Sequence, residues 1–93
     1  MNLIVVGNPN CRPCVLMKNQ ILVRINEVER IGASFFYVSL NDLEDKDTFI
    51  AANDIMCTPT ILIKKERETV WRHEGYIDVD TLFDTLIEKM EEN

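Results

Sequence analysis

Histidine occurs once and cysteine three times, and ten Lys and Arg face sixteen Asp and Glu, for a formal net charge of −6. So little positive charge leaves no footprint for a phosphate backbone. It also sets the chain against the anionic face of a membrane. Neither nucleic acid nor a membrane is expected as a partner. No apolar run approaches the ~20 residues that cross a bilayer. The opening stretch Met1–Gly7 has no basic segment, and its apolar run is too short for an export signal. The expected location is therefore cytoplasmic. Three cysteines are too few, and odd in number, to staple a secreted scaffold. In a reducing compartment, the pair in Cys11-Arg12-Pro13-Cys14 points to redox chemistry or to a metal instead.

What is there suffices for a core. Of the 93 residues 46% are apolar, and no linker, repeat or low-complexity segment interrupts them, so a single domain over 1–93 is expected. Leu3 to Gly7 is a continuous apolar run ended by Gly7-Asn8-Pro9-Asn10, as in a strand buried on both faces. From Cys14 to about Ile31, apolar residues recur at helical spacing, among them Leu16, Ile21, Leu22, Ile25 and Val28. Pro13 suits the first turn of this helix and Gly32 its end. Ser34–Leu40 reads as a second strand and 47–53 as a short helix after an acidic connector. Thr60–Lys64 and Thr69–His73 read as an antiparallel hairpin around a polar turn of open type. Asp78 caps a last helix whose apolar side carries Leu82, Phe83, Leu86, Ile87 and Met90. The order β-α-β-α-β-β-α predicts an α/β fold: a four-stranded mixed sheet with a right-handed parallel crossover and helices on both faces.

Cys11 lies between the first strand and the first helix. Free N–H groups and the positive end of the helix dipole stabilise a thiolate there. Arg12 adds a positive charge beside it. Cys14, one turn on, can reach back to close a disulfide and should be the deeper, less acidic thiol. A more acidic thiol stabilises the reduced form and makes the pair more oxidising.

Three pieces in register, Cys11-Arg12-Pro13-Cys14, Thr58-Pro59-Thr60 before Ile61-Leu62-Ile63, and Gly75 before the last helix, make the chain resemble the thioredoxin and glutaredoxin superfamily over nearly its whole length. The resemblance implies the thioredoxin-like fold and a thiol–disulfide oxidoreductase. Cys11 would attack and Cys14 resolve. Arg12, Pro13, Thr58 and Pro59 would meet the substrate, with Pro59 cis and the Thr58 backbone offered to a bound strand. It implies no bound cofactor. The partners would be disulfide-containing proteins, with a thioredoxin reductase-like enzyme or glutathione as electron donor.

There are departures. Asn10 stands where thioredoxins carry Trp, and Val5 where they bury an Asp, which leaves Cys14 without an obvious base. Asn8 replaces a basic residue of the glutaredoxins, and Gly75-Tyr76-Ile77-Asp78 matches their glutathione segment only in part. Two alternatives follow: a weakly catalytic binding module on the same fold, or a glutathione-dependent glutaredoxin.

The remaining residues have competing readings. Zinc would need Cys57 and His73 to complete four ligands, at a spacing that fits no standard finger or ribbon; no metal is expected. Cys57 is either a regulatory thiol near Cys11 or a small, partly buried filler. His73 is expected on the surface of its strand, Trp71 in packing, and Tyr76 in packing or along the substrate groove.

Overall fold

The computed structural model describes residues 1–92. The elements are β1 (Asn2–Gly7), α1 (Arg12–Val23), α2 (Ile25–Ile31), β2 (Ser34–Ser39), a 3-10 turn (Leu40–Asp42), α3 (Lys46–Asn53), β3 (Thr60–Lys65), β4 (Glu68–Glu74) and α4 (Val79–Glu91). The strands form one mixed sheet in the order β2-β1-β3-β4. β2 runs parallel to β1, while β1–β3 and β3–β4 are antiparallel. The α/β architecture read from the sequence is the one observed, with helices on both faces.

Alternation along the strands divides the core in two. Leu3 and Val5 of β1, with Ile61 and Ile63 of β3, face Met17, Ile21, Val28, Leu82, Phe83 and Leu86 of α1, α2 and α4. Val6 and Leu62 point the other way, to Leu40 and Ile55, with Phe49 and Ile50 of α3 against them. Both faces are covered, so the central strands read as unbroken apolar runs rather than as alternation. On α4, Ile87 stays exposed.

The helix expected from Cys14 to Ile31 is broken at Arg24, whose backbone (φ −112°, ψ 26°) belongs to neither α1 nor α2. A straight helix over those residues would run about 27 Å. A six-residue strand is about 20 Å long. The bend brings α2 back over the sheet and buries Val28. Val23, at the outer side of the bend, is left exposed. The Arg24 side chain fastens the break. It donates to Glu27 at 2.6 and 2.9 Å and to Asp80 of α4 at 2.5 Å, and its guanidinium lies 4.7 Å from the centre of the Phe83 ring.

The Arg24 hydrogen bonds hold the Glu27 carboxyl below its ordinary pKa. A carboxyl lowered by folding contributes stability above its unfolded pKa, and that contribution is lost as pH falls through the folded value. Arg24→Ala should therefore lower the melting temperature at pH 7. The gap to the parent should narrow as pH falls below the ordinary carboxylate range and Glu27 takes up its proton. Calorimetry across that range checks this; a gap independent of pH would leave only the packing over Phe83.

The β3–β4 hairpin turns through Glu66 and Arg67, with Lys65 paired to Glu68 and a register irregularity between Ile63 and Lys64. Glu66 takes a left-handed backbone (φ 59°), a region non-glycine residues adopt only at a cost. Asp78 caps α4 by accepting from the Thr81 N–H at 3.2 Å.

Candidate active site

β1 ends at Gly7, and the chain turns through Asn8, Pro9 and Asn10 into α1. The Asn residues build this turn. The Asn8 side chain accepts from the Asn10 N–H at 3.1 Å, and its carbonyl accepts from the Cys11 N–H at 3.2 Å. Cys11 is the N-cap of α1, and its Sγ accepts from the Cys14 N–H at 3.2 Å. A sulfur thus takes the position usually held by a Ser or Asp oxygen. Pro13 sits in the first turn, where a missing N–H leaves nothing unbonded.

Cys11 and Cys14 are joined by a disulfide, with Cα atoms 5.2 Å apart. Cys11 is half-buried and Cys14 has no exposed surface. The asymmetry expected from the sequence is therefore present. Arg12 and Pro13 face solvent between them.

The second piece comes from the start of β3. Val6 pairs with Thr60, so Thr58-Pro59 arrives at the same end of the sheet as the cysteine loop. The Thr58–Pro59 bond is cis, as the resemblance implied. Pro59 is buried and its carbonyl accepts from the Gly75 N–H at 2.8 Å. The Thr60 hydroxyl, fully buried, donates to the Cys57 carbonyl at 2.7 Å. Gly75 has φ 91°, a conformation glycine alone adopts freely.

Beside the cysteines an open cleft is lined by Pro9, Arg12, Pro13, Leu16, Asn19 and Tyr76. Tyr76 is 44% exposed and Leu16 48%, so this rim is apolar and open. The Tyr76 hydroxyl donates to Gln20 Oε1 at 3.0 Å, which fixes the ring along the groove rather than in the core.

One expectation changes: Cys57 is exposed, so it is not a partly buried filler. His73 keeps a partly exposed place on its strand, where it stacks on Trp71 with ring centres 5.9 Å apart and its Nε2 meets the Tyr76 carbonyl at 3.2 Å. Among the described residues no group of three or more Cys, His, Asp or Glu converges, so the four-ligand zinc set is not assembled.

Two residues of the site were not anticipated. At Gly7, an added Cβ would fall 2.6 Å from the Tyr37 hydroxyl, 2.7 Å from Cys14 Cβ and 2.9 Å from Cys14 Sγ. Gly7 is thus a notch into which β2 and α1 both reach. A glycine closing an apolar strand is the one signal that could have marked it. Tyr37 of β2 pairs with Val5 of β1. Burial raises its phenol pKa above the ordinary value. The Lys18 ammonium lies 4.9 Å from the centre of its ring.

No family model and no curated protein matches the sequence. Solved structures do. A point mutant of thioredoxin from Halobacterium salinarum aligns at 21% identity and TM-score 0.80, covering 99% of this chain and 75% of that one. Thioredoxin f2 of Chlamydomonas reinhardtii aligns at 18% and 0.78, covering 99% and 81%. Thioredoxin 1 of Thermosipho africanus aligns at 14% and 0.77, covering 98% and 96%. At these identities the likeness speaks for the fold: the chain has the thioredoxin-like fold, with its cysteine pair at the start of the first helix.

Proposed function

We propose that the protein is a thiol–disulfide oxidoreductase that works through Cys11 and Cys14. The observation that carries this is the asymmetry of the pair: one cysteine capping a helix and partly exposed, its partner wholly enclosed one turn later. In the reduced protein the Cys11 thiolate attacks a substrate disulfide. A mixed disulfide forms and one substrate thiolate leaves. Cys14 then attacks Cys11 Sγ, the second substrate thiolate leaves, and the Cys11–Cys14 bond closes. Two electrons pass from the dithiol to the substrate, whose two thiolates take up the two thiol protons.

Helix-end N–H groups and Arg12 favour the Cys11 thiolate. Thr58 offers its backbone to an extended substrate segment beside Pro59, and the rim of Pro13, Leu16 and Tyr76 suits an apolar side chain. The substrates are proteins that carry disulfides. A reductase of the thioredoxin reductase type or glutathione restores the dithiol, and no bound cofactor is required. The setting is cytoplasmic. No helix among the described residues is long and apolar enough to cross a membrane.

A glutathione redox titration, read by intact mass after acid quenching and alkylation, tests the reading. The pair should interconvert reversibly, with a midpoint between about −270 and −180 mV. A pair that stays reduced across that range would remove the proposal.

A further inference from the structure

The second step needs Cys14 as a thiolate, yet Cys14 is fully buried. Burial disfavours a charged sulfur. Some group must take its proton and stabilise the charge. β1, against which α1 packs, carries no ionisable side chain. What stands next to Cys14 across the Gly7 notch is the Tyr37 hydroxyl. That oxygen and Cys14 Sγ lie 2.6 and 2.9 Å from one point, with no side chain between them because residue 7 is glycine.

We propose that the Tyr37 hydroxyl is the hydrogen-bonding and proton-relay partner of the Cys14 sulfur, and that it frees Cys14 as a thiolate for the resolving step. The proposal rests on the oxidoreductase reading for its chemistry. Tyr37 is half-buried and lines a cleft it shares with Lys18, Ser39 and Asp42. As Cys14 attacks, the phenol accepts the thiol proton and releases its own to solvent in that cleft. The phenol ends as it began, and the departing substrate thiolate takes up a proton from solvent. In the reverse direction the same hydroxyl donates to the Cys14 sulfur as it leaves the disulfide. The titratable and charged groups around the phenol are Cys14 and Lys18 from α1 and Asp42 from the 3-10 turn. Lys18, over the ring face, is a positioning residue that holds the phenol against α1. A phenol is protonated at neutral pH even at its ordinary value, and burial moves Tyr37 further in that direction, so it stands as a donor.

The test uses 5,5′-dithiobis(2-nitrobenzoate) in a Cys57→Ser background, so that only the pair reacts. Attack by Cys11 releases one coloured thiolate and attack by Cys14 a second. Tyr37→Phe keeps the ring and removes the oxygen. It should slow the second release about tenfold and shift the pH limb of that release upward by about one unit, which is a tenfold change in ionisation. A second release with unchanged rate and unchanged pH limb would overturn the proposal. A merely structural role would lower the melting temperature without moving that limb. Carbon NMR of the reduced parent supplies the arm that needs no variant. The Tyr37 Cζ resonance should titrate with the Cys14 midpoint, and a flat Cζ overturns the proposal. If the parent gives no second release at all, the oxidoreductase reading has failed. The proposed pairing of Tyr37 with Cys14 then stands or falls on that NMR titration alone.

Discussion

Cys11→Ser should reduce disulfide turnover to the uncatalysed background. Serine fits the cap at least as well as cysteine, since its oxygen accepts the same N–H that Cys11 Sγ accepts from Cys14 at 3.2 Å. Fold and stability should therefore be preserved and the chemistry alone lost. The helix end can shift a thiol through neutral pH, but an alkyl hydroxyl stays far from ionisation, and only the anion attacks a disulfide. Cys14 cannot stand in, because it has no exposed surface from which to reach a substrate. Cys14→Ser should behave in the opposite way. Cys11 still attacks, nothing resolves, and the mixed disulfide accumulates as a covalent complex visible by intact mass. Residual turnover in Cys11→Ser would move the chemistry to the exposed Cys57 and end the proposal that the Cys11–Cys14 pair carries it.

The parts of this molecule legible in the sequence are those set by near neighbours. The apolar runs at 3–6 and 60–63 become central strands because both faces are covered. The cysteine pair follows a strand directly, so its place at a helix start is a local matter. The break at Arg24 is different. Neither glycine nor proline marks it, and the apolar spacing continues through it. The bend is imposed by the length of the sheet and held by Asp80 and Phe83, both on α4. Glu66 likewise adopts a left-handed backbone because strand pairing leaves two residues for the turn, not because of its own preference. At the site, Pro59 was legible through the resemblance, whereas Tyr37 was not. The parallel β1–β2 pairing, set by a crossover through two helices, places its hydroxyl at Gly7. No local pattern reports that register.

Gly7→Ala separates this close approach from ordinary glycine behaviour. Gly7 lies outside the left-handed region, which among the glycines holds Gly32 and Gly75. Its backbone therefore suits alanine. In open space the change would stabilise the strand by about 0.5–1 kcal/mol. Here the sign should reverse. The new methyl would meet Cys14 Cβ at 2.7 Å, an atom fixed to the α1 backbone, as well as the Tyr37 hydroxyl at 2.6 Å. The start of α1 must lift or Tyr37 must swing out, and overpacking of this kind costs about 1–3 kcal/mol. Urea unfolding of the oxidised protein measures the cost. Gly75→Ala is the contrast: among the described residues nothing lies within 4 Å of its added carbon, but φ is 91°. Its penalty is of backbone origin, about 1–2 kcal/mol. The two variants then part at the chemistry. Gly7→Ala should delay the second release of the coloured thiolate in the way Tyr37→Phe does, because the methyl occupies the notch that the phenol and the sulfur both border. If Gly7→Ala is as stable as the parent and resolves as fast, α1, β1 and β2 do not converge there. The proton of Cys14 would then leave by another route.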